Sequence, residues 1–459
     1  MSKNIIILGA GISGLACGWR LSQQGIRVNI LESENAVGGL AGTMRENGYA
    51  LDIGPHSFFS DDQQIVDLIR NLLGEKMQPS PRKVKFYYKG RYLDYPLTAA
   101  GVFLQMGLSS GMLALGSFLK NKAFLRKHRL AEGEDETVED WAIANFGEYL
   151  YRTFFKPYTE QFWKVPCNEL SSRSIPTHTR MSFTNTLKLL LNQKTTRQGK
   201  SLVEREMHPT YYPDQGFALI AECIAAQIEK NQGQIHLAHE VIALTQLPGG
   251  KMRVTCRHNG RQEEQDADYV ISTLPLSLLA KILSPVFPPH VLASAKKLEY
   301  RSLVVLGMLT QKQKILNCGY LYLLNRPFNR IFEMNEFSPQ TSQPDENILA
   351  VEMPCLASGP IWNSSQEELF SACIGSLSED GFIAPGDVKK LFLIKARYAY
   401  PIYRKDYARH LTGVLDHLKN YSSLATLGRC GEFRYMDIDE CIKRAFVLAD
   451  SQMPGLIQP

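Results

Sequence analysis

Residues 5–32, IIILGAGISGLACGWRLSQQGIRVNILE, constrain the fold of this chain more tightly than any other stretch. A β-branched run from Ile5 to Ile7 leads directly into Gly9, Gly11 and Gly14. The pattern predicts a strand, a tight turn, a helix over 15–24 and a second strand over 27–31 that ends at Glu32. The three glycines do different things. Gly9 permits the tight turn, Gly11 lets backbone approach a pyrophosphate, and Gly14 lets the helix lie close on the strand. The start of that helix offers unpaired N–H groups and a positive dipole end to phosphate oxygens. Glu32, at the tip of the second strand, is placed to accept hydrogen bonds from ribose hydroxyls. An acid there argues against a 2′-phosphate and so against NADP.

The next residues separate the dinucleotides. Gly38-Gly39 and then Gly42-Thr43 put a glycine pair where backbone must pass close to something bulky, and YALDIGPHSF (49–58) follows. This region resembles the flavoprotein clan of amine oxidases, phytoene desaturases, protoporphyrinogen oxidases and UDP-galactopyranose mutases. The resemblance implies FAD, with Gly38 and Gly39 extending the site toward the ribityl chain and flavin.

At 459 residues the chain is too long for one core, and two domains are expected. With 44% hydrophobic and 21% charged residues, disordered and collagen-like classes are excluded. A net charge of +5 over this length does not point to nucleic acid. Nine cysteines without a C-x-x-C pair read as buried thiols of a reducing compartment. Ten histidines without an H-x-x-x-H pattern give no metal site. Only Lys3 precedes the first apolar run, and cleavage near Cys17 would remove the phosphate loop, so a signal peptide is not expected and the setting is cytoplasmic. From Tyr95 to Leu119 no residue is charged, and Lys120, Lys122, Arg126, Lys127 and Arg129 follow. Polar residues and glycines dilute the stretch, so it reads as a buried helix pair in preference to a membrane-surface contact through 95–129.

Nucleotide-binding pieces occur at three separated places. The fold expected is therefore α/β, with a discontinuous Rossmann-type (GR2-like) FAD-binding domain and a second, α+β substrate domain. The first comprises 1–80, 206–275 and 426–459; the second comprises 81–205 and 276–425. The polar stretch 193–207 reads as a surface loop.

Within the clan, the chain is most similar to UDP-galactopyranose mutases. GPHSFFS (54–60) resembles the mutase segment beside the flavin, which assigns Gly54 and His56 to the cofactor. KPYTEQFWKVP (156–166) resembles the segment whose tyrosine and tryptophan contact the nucleotide sugar, here Tyr158 and Trp163. RPFNRIFEMNEF (326–337) resembles the segment carrying a diphosphate-binding arginine, here Arg330. GRCGEFRYMDIDECI (428–442) resembles the last FAD motif, with Arg429 facing the cofactor and Tyr435 and Asp437 at the flavin edge. Tyr398, in RYAYPIY, corresponds to another tyrosine of that site. Phe59 stands where mutases carry a second histidine, and their tyrosine-rich segment is not recognisable around 181–211.

The residues themselves leave alternatives. Tyr158 and Trp163 serve equally as core aromatics. Arg330 lies among apolar neighbours and needs either a local carboxylate, such as Glu333, or a ligand anion. Two activities follow from the resemblance. One is an FAD-dependent oxidoreductase that moves a hydride from a small organic substrate to flavin N5. The alternative is a mutase-like isomerase of a nucleotide sugar using reduced FAD, in which Arg330 and Tyr398 clamp the diphosphate. Arg330, Tyr398 and Tyr435 are the candidate catalytic residues, and the redox reading is the one adopted.

Overall fold

The structure is a computed structural model, and it describes residues 3–80, 84–88, 90–94, 108–125, 135–175 and 209–451. The expected loop at 193–207, most of the tyrosine-poor stretch at 181–211, and the flanks of the apolar segment (95–107 and 126–129) lie outside the described residues.

The opening residues fold as their pattern dictates. Ile5–Leu8 is a buried strand, Ile12–Gln23 a helix and Val28–Leu31 a second strand parallel to the first, with Ile5 opposite Val28. These strands belong to a five-stranded parallel sheet ordered Leu424–Thr426, Tyr269–Ser272, Ile5–Leu8, Val28–Leu31, Gln234–His236. Parallel strands need covered faces, which is why Ile5, Ile6, Ile7, Val270 and Ile271 are all fully buried. On one face Ile12–Gln23 packs between the helices Leu219–Lys230 and Ile438–Ser451. Trp19 meets Phe446 edge to face at 6.0 Å.

A second sheet runs Arg261–Ala267, Met252–His258, Glu240–Gln246, Leu283–Ser284. The third has seven strands, ordered Val388–Pro401, Tyr300–Thr310, Asn347–Cys355, Arg330–Glu333, Tyr320–Leu323, Val84–Tyr88, Arg91–Asp94. All positions of Tyr300–Thr310 and Asn347–Cys355 are buried, so both faces of this sheet are covered at its centre. Two separate clusters do the covering: Leu303, Val305 and Ile348 pack on one side, Val304, Leu306 and Leu349 on the other. The sheet pairing slips between Arg301 and Leu303, where Arg301 faces Tyr400 but Leu303 faces Ala396.

Helical residues cap one side. Val138–Phe146 starts with a capping box in which Thr137 and Asp140 satisfy each other's backbone N–H. The chain then winds through a π-turn, Tyr151–Phe155, into Lys156–Trp163. The helix Leu108–Leu125 corrects the expectation of a buried pair: Ala114 and Phe118 are buried, but Met112, Leu113 and Leu119 are 60%, 58% and 56% exposed. Among the described residues no helix is long and apolar enough to cross a membrane.

Candidate functional site

The phosphate loop shows a different constraint at each glycine. Gly9 has φ +101°, and a Cβ there would overlap the Thr273 hydroxyl. A Cβ at Gly14 would overlap the Gly9 carbonyl oxygen, which is the close helix–turn packing expected of it. At Gly11 an added Cβ meets no protein atom within 4 Å. Gly11 is therefore demanded neither by strain nor by packing, as expected if the space beside it belongs to a ligand. It also begins the helix Ile12–Gln23 with no side chain capping the N–H groups.

The glycine pair and the last motif close on this loop. The Gly38 N–H donates to the Ala10 carbonyl at 2.9 Å, and a Cβ on Gly39 would lie 3.2 Å from the Gly11 Cα. Gly428, next to Arg429, abuts Ser13. Glu32 is buried; one carboxylate oxygen accepts the Ala10 N–H at 2.7 Å and the other the Glu34 N–H at 3.0 Å. That fixes the carboxylate at the end of the second strand, beside the loop.

The segment after YALDI is held from beneath. Asp52 is buried and accepts from the Tyr212 hydroxyl at 2.7 Å, the Thr43 hydroxyl at 2.5 Å and the Phe217 N–H at 3.1 Å. Burial nevertheless raises its carboxyl pKa to about 6. His56 stacks on Phe217 with ring centroids 4.8 Å apart, and its Nδ1 is buried without a hydrogen-bond partner, 3.9 Å from Asp52. Burial, and then the charges of Arg429 and Arg330, lower the imidazole pKa to about 3, so the ring is neutral. A Cβ on Gly54 would lie 3.4 Å from Glu352 Oε2, which places this segment directly on the central strands of the seven-stranded sheet.

A wall of arginines and aromatic rings continues from there. Arg330 donates through Nε and Nη2 to the two oxygens of Glu352, both at 2.7 Å, and sits over the rings of Tyr320 and Tyr322. The carboxylate partner expected nearby is thus present, but it is Glu352 and not Glu333. Glu333 accepts instead from the Ile315 and Leu316 N–H groups and Asn347. Tyr158 meets Tyr322 edge to face at 5.3 Å, and Trp163 meets Phe162 at 5.1 Å and Tyr400 at 6.3 Å. Burial pushes the Tyr158 phenol up to about 12, so it stays protonated. Arg429 donates to the Met436 carbonyl at 3.0 Å and lies over Tyr400 and Tyr435, rings that stack at 5.8 Å. The Tyr435 hydroxyl donates to Asp437 at 3.3 Å.

Tyr398 is the expected residue that falls outside this group. Its ring packs edge to face on Tyr300 at 5.6 Å, in a cluster with Tyr403 and Phe433 that the wall shares only through Tyr435. Tyr400 stands in the wall in its place. Sequence reasoning also missed Arg301, Phe162, Tyr322 and Glu352. Arg301 carried a readable signal, a charge inside the otherwise apolar run YRSLVVLGML.

Comparison with known proteins shows the family and the fold. The family of flavin-containing amine oxidoreductases matches residues 12–391. A probable UDP-galactopyranose mutase of Klebsiella pneumoniae is 27% identical over 175 residues, 37% of this chain and 43% of that protein. Protoporphyrinogen oxidase 2 of Arabidopsis thaliana is 21% identical over 297 residues, 60% of this chain and 58% of that one. The chain thus spans less than two thirds of the length of these curated relatives. The crystal structure of a reduced UDP-galactopyranose mutase superposes with a TM-score of 0.82 at 19% identity, covering 98% of this chain and 96% of the other.

Proposed function

Because the chain belongs to the family of flavin-containing amine oxidoreductases, we propose that it is an FAD-dependent oxidoreductase acting on a small organic substrate held against Tyr158, Trp163, Tyr322 and Tyr400. FAD is the cofactor. When bound it supplies the hydride acceptor, and the chain's part is to bind, orient and exclude water. Gly9, Gly11, Gly14, Gly38 and Gly39 would hold the pyrophosphate and Glu32 the ribose, in keeping with the open space at Gly11. Gly54, His56, Arg429, Tyr435 and Asp437 would hold the ring system, and the neutral His56 offers its unpartnered Nδ1. The proposal takes 1–80, 206–275 and 426–459 as the FAD-binding part, 81–205 and 276–425 as the substrate-binding part, and the cytoplasm as the setting.

The observation that carries the redox reading is the pairing of Arg330 with Glu352. In a mutase-like reaction Arg330 would be the cation that takes growing charge on the diphosphate leaving group, whereas this guanidinium already spends its parallel donors on the Glu352 carboxylate. The same pair removes Glu352 as a proton acceptor, and His56 is a weak base with a pKa of about 3. Direct hydride removal requires neither group.

Anaerobic mixing of the yellow holoenzyme with candidate porphyrinogens, polyenes and amines tests this reading. The expected result is bleaching by one of them, with peroxide formed on admitting air. The opposing result is ring contraction of UDP-galactopyranose by dithionite-reduced enzyme and no bleaching by any of these donors. That mutase-like second reading keeps support from Tyr158 and Trp163, which share one wall as a sugar platform would require.

A further inference from the structure

Arg301 is the second residue of the strand Tyr300–Thr310 and has no exposed surface. Its guanidinium lies between two rings, 4.0 Å from the Phe162 centroid and 4.2 Å from that of Tyr400. Nη1 donates to the Phe162 carbonyl at 2.9 Å. Nε and Nη2 are buried and meet no acceptor. A buried charged donor without an acceptor is costly to keep, and native proteins rarely leave two on one group.

Those two atoms form the parallel edge with which a guanidinium grips an oxyanion. Elsewhere in this chain the same edge takes a carboxylate in Arg330 with Glu352, Arg326 with Asp380, Arg20 with Asp450 and Arg253 with Asp266, and a backbone carbonyl in Arg429 and Arg45. The nearby carboxylate, Glu352, is already bound to Arg330. The two flanking rings fix the plane of the guanidinium, and Tyr400 belongs equally to the wall beside Arg429 and Tyr435.

We propose that the Nε/Nη2 edge of Arg301 receives a carboxylate or phosphate of the substrate, so that this enzyme acts on an acidic compound and not on an amine. The inference rests on the reading of a substrate chamber at this wall and names the class of molecule it takes. Arg301 and Arg429 would repel an ammonium ion there, while a planar oxyanion gains two charge-assisted hydrogen bonds.

The test uses oxidised holoenzyme, with anion binding followed by the shift of the flavin absorbance spectrum. Inorganic pyrophosphate and succinate serve as separate probes for phosphate and carboxylate. One of them is expected to shift the spectrum saturably, and Arg301→Gln is expected to weaken it by at least about 30-fold. Arg301→Lys, which keeps the charge but loses the parallel edge, should fall between, with flavin content unchanged in both. Equal affinity in wild type and Arg301→Gln overturns the proposal. Should the variant not fold, a wild-type crystal structure with either probe decides: an oxyanion at Nε and Nη2 supports the proposal, and a position holding only water overturns it. Neither measurement needs turnover, so failure to bleach with any hydride donor would sink the redox reading alone.

Discussion

Replacing Glu352 by Gln probes the ion pair on which the redox assignment turns. Glu352 has no exposed surface, and the Arg330 side chain is only 12% exposed, so solvent cannot substitute for the lost charge. The amide would also turn an N–H toward a guanidinium that has only donors to offer. Breaking one side of such a buried pair costs about 3 kcal/mol or more. Taking roughly 2.1 cal/mol/K of unfolding entropy per residue, 459 residues give about 1 kcal/mol/K and a melting temperature lowered by about 3 °C. Urea unfolding at a fixed excess of FAD gives the free energy directly, since ligand concentration otherwise shifts the midpoint. The double variant Arg330→Met/Glu352→Leu removes both charges at similar volume and should recover all but about 1 kcal/mol of the loss. A Glu352→Gln protein within about 0.5 kcal/mol of wild type would refute the reasoning. So would a double variant less stable than the single one. Either result would mean that Arg330 is not committed to the protein, and it would return Arg330 to the ligand.

Gly11→Val should fold with a normal circular dichroism spectrum yet purify without flavin, because the added atoms fill space beside the loop where no protein atom lies. Gly14→Val should fail to accumulate as soluble protein, since its Cβ overlaps the Gly9 carbonyl. Acid stability should report His56: its folded pKa of about 3 lies below the ordinary 6.5, so its contribution is present above 6.5 and is lost as pH falls toward 3. His56→Phe, which retains a ring for Phe217, should flatten that limb of the urea-midpoint profile. Asp52 acts in the opposite sense: raised from 3.8 to about 6, its contribution is present below 3.8 and lost as pH rises through 6, a loss Asp52→Asn should remove. Tyr400→Phe should alter the flavin spectrum or turnover, and Tyr398→Phe should alter neither; the reverse would put Tyr398 back in the site.

What could be read beforehand was what depends on neighbours in sequence. The glycine loop, its helix and Glu32 fall within 28 consecutive residues (5 to 32), and each glycine's role follows from local geometry. The motif residues Tyr158, Trp163, Arg330, Arg429 and Tyr435 also come together at one wall. What escaped depends on pairing between strands. Glu352 meets Arg330 only because their strands run antiparallel in one register. Tyr398 and Tyr400 share a side of an ideal strand, yet a slip in pairing near Arg301 sends one to the wall and the other to Tyr300. Burial of the Leu108–Leu125 helix was overestimated because apolar composition does not say which face finds a neighbour.

The order of strands in the parallel sheet has a consequence for biosynthesis. Ile5–Leu8 leaves the ribosome well before Tyr269–Ser272, one of its two neighbours, and the sheet edge waits for Leu424–Thr426. A sticky ribbon of isoleucines must therefore stay unpaired on that side while the residues between the two strands are translated. Nascent chains of this protein should depend on chaperone shielding until late in synthesis, and ribosome-stalled intermediates ending before residue 269 should aggregate when released.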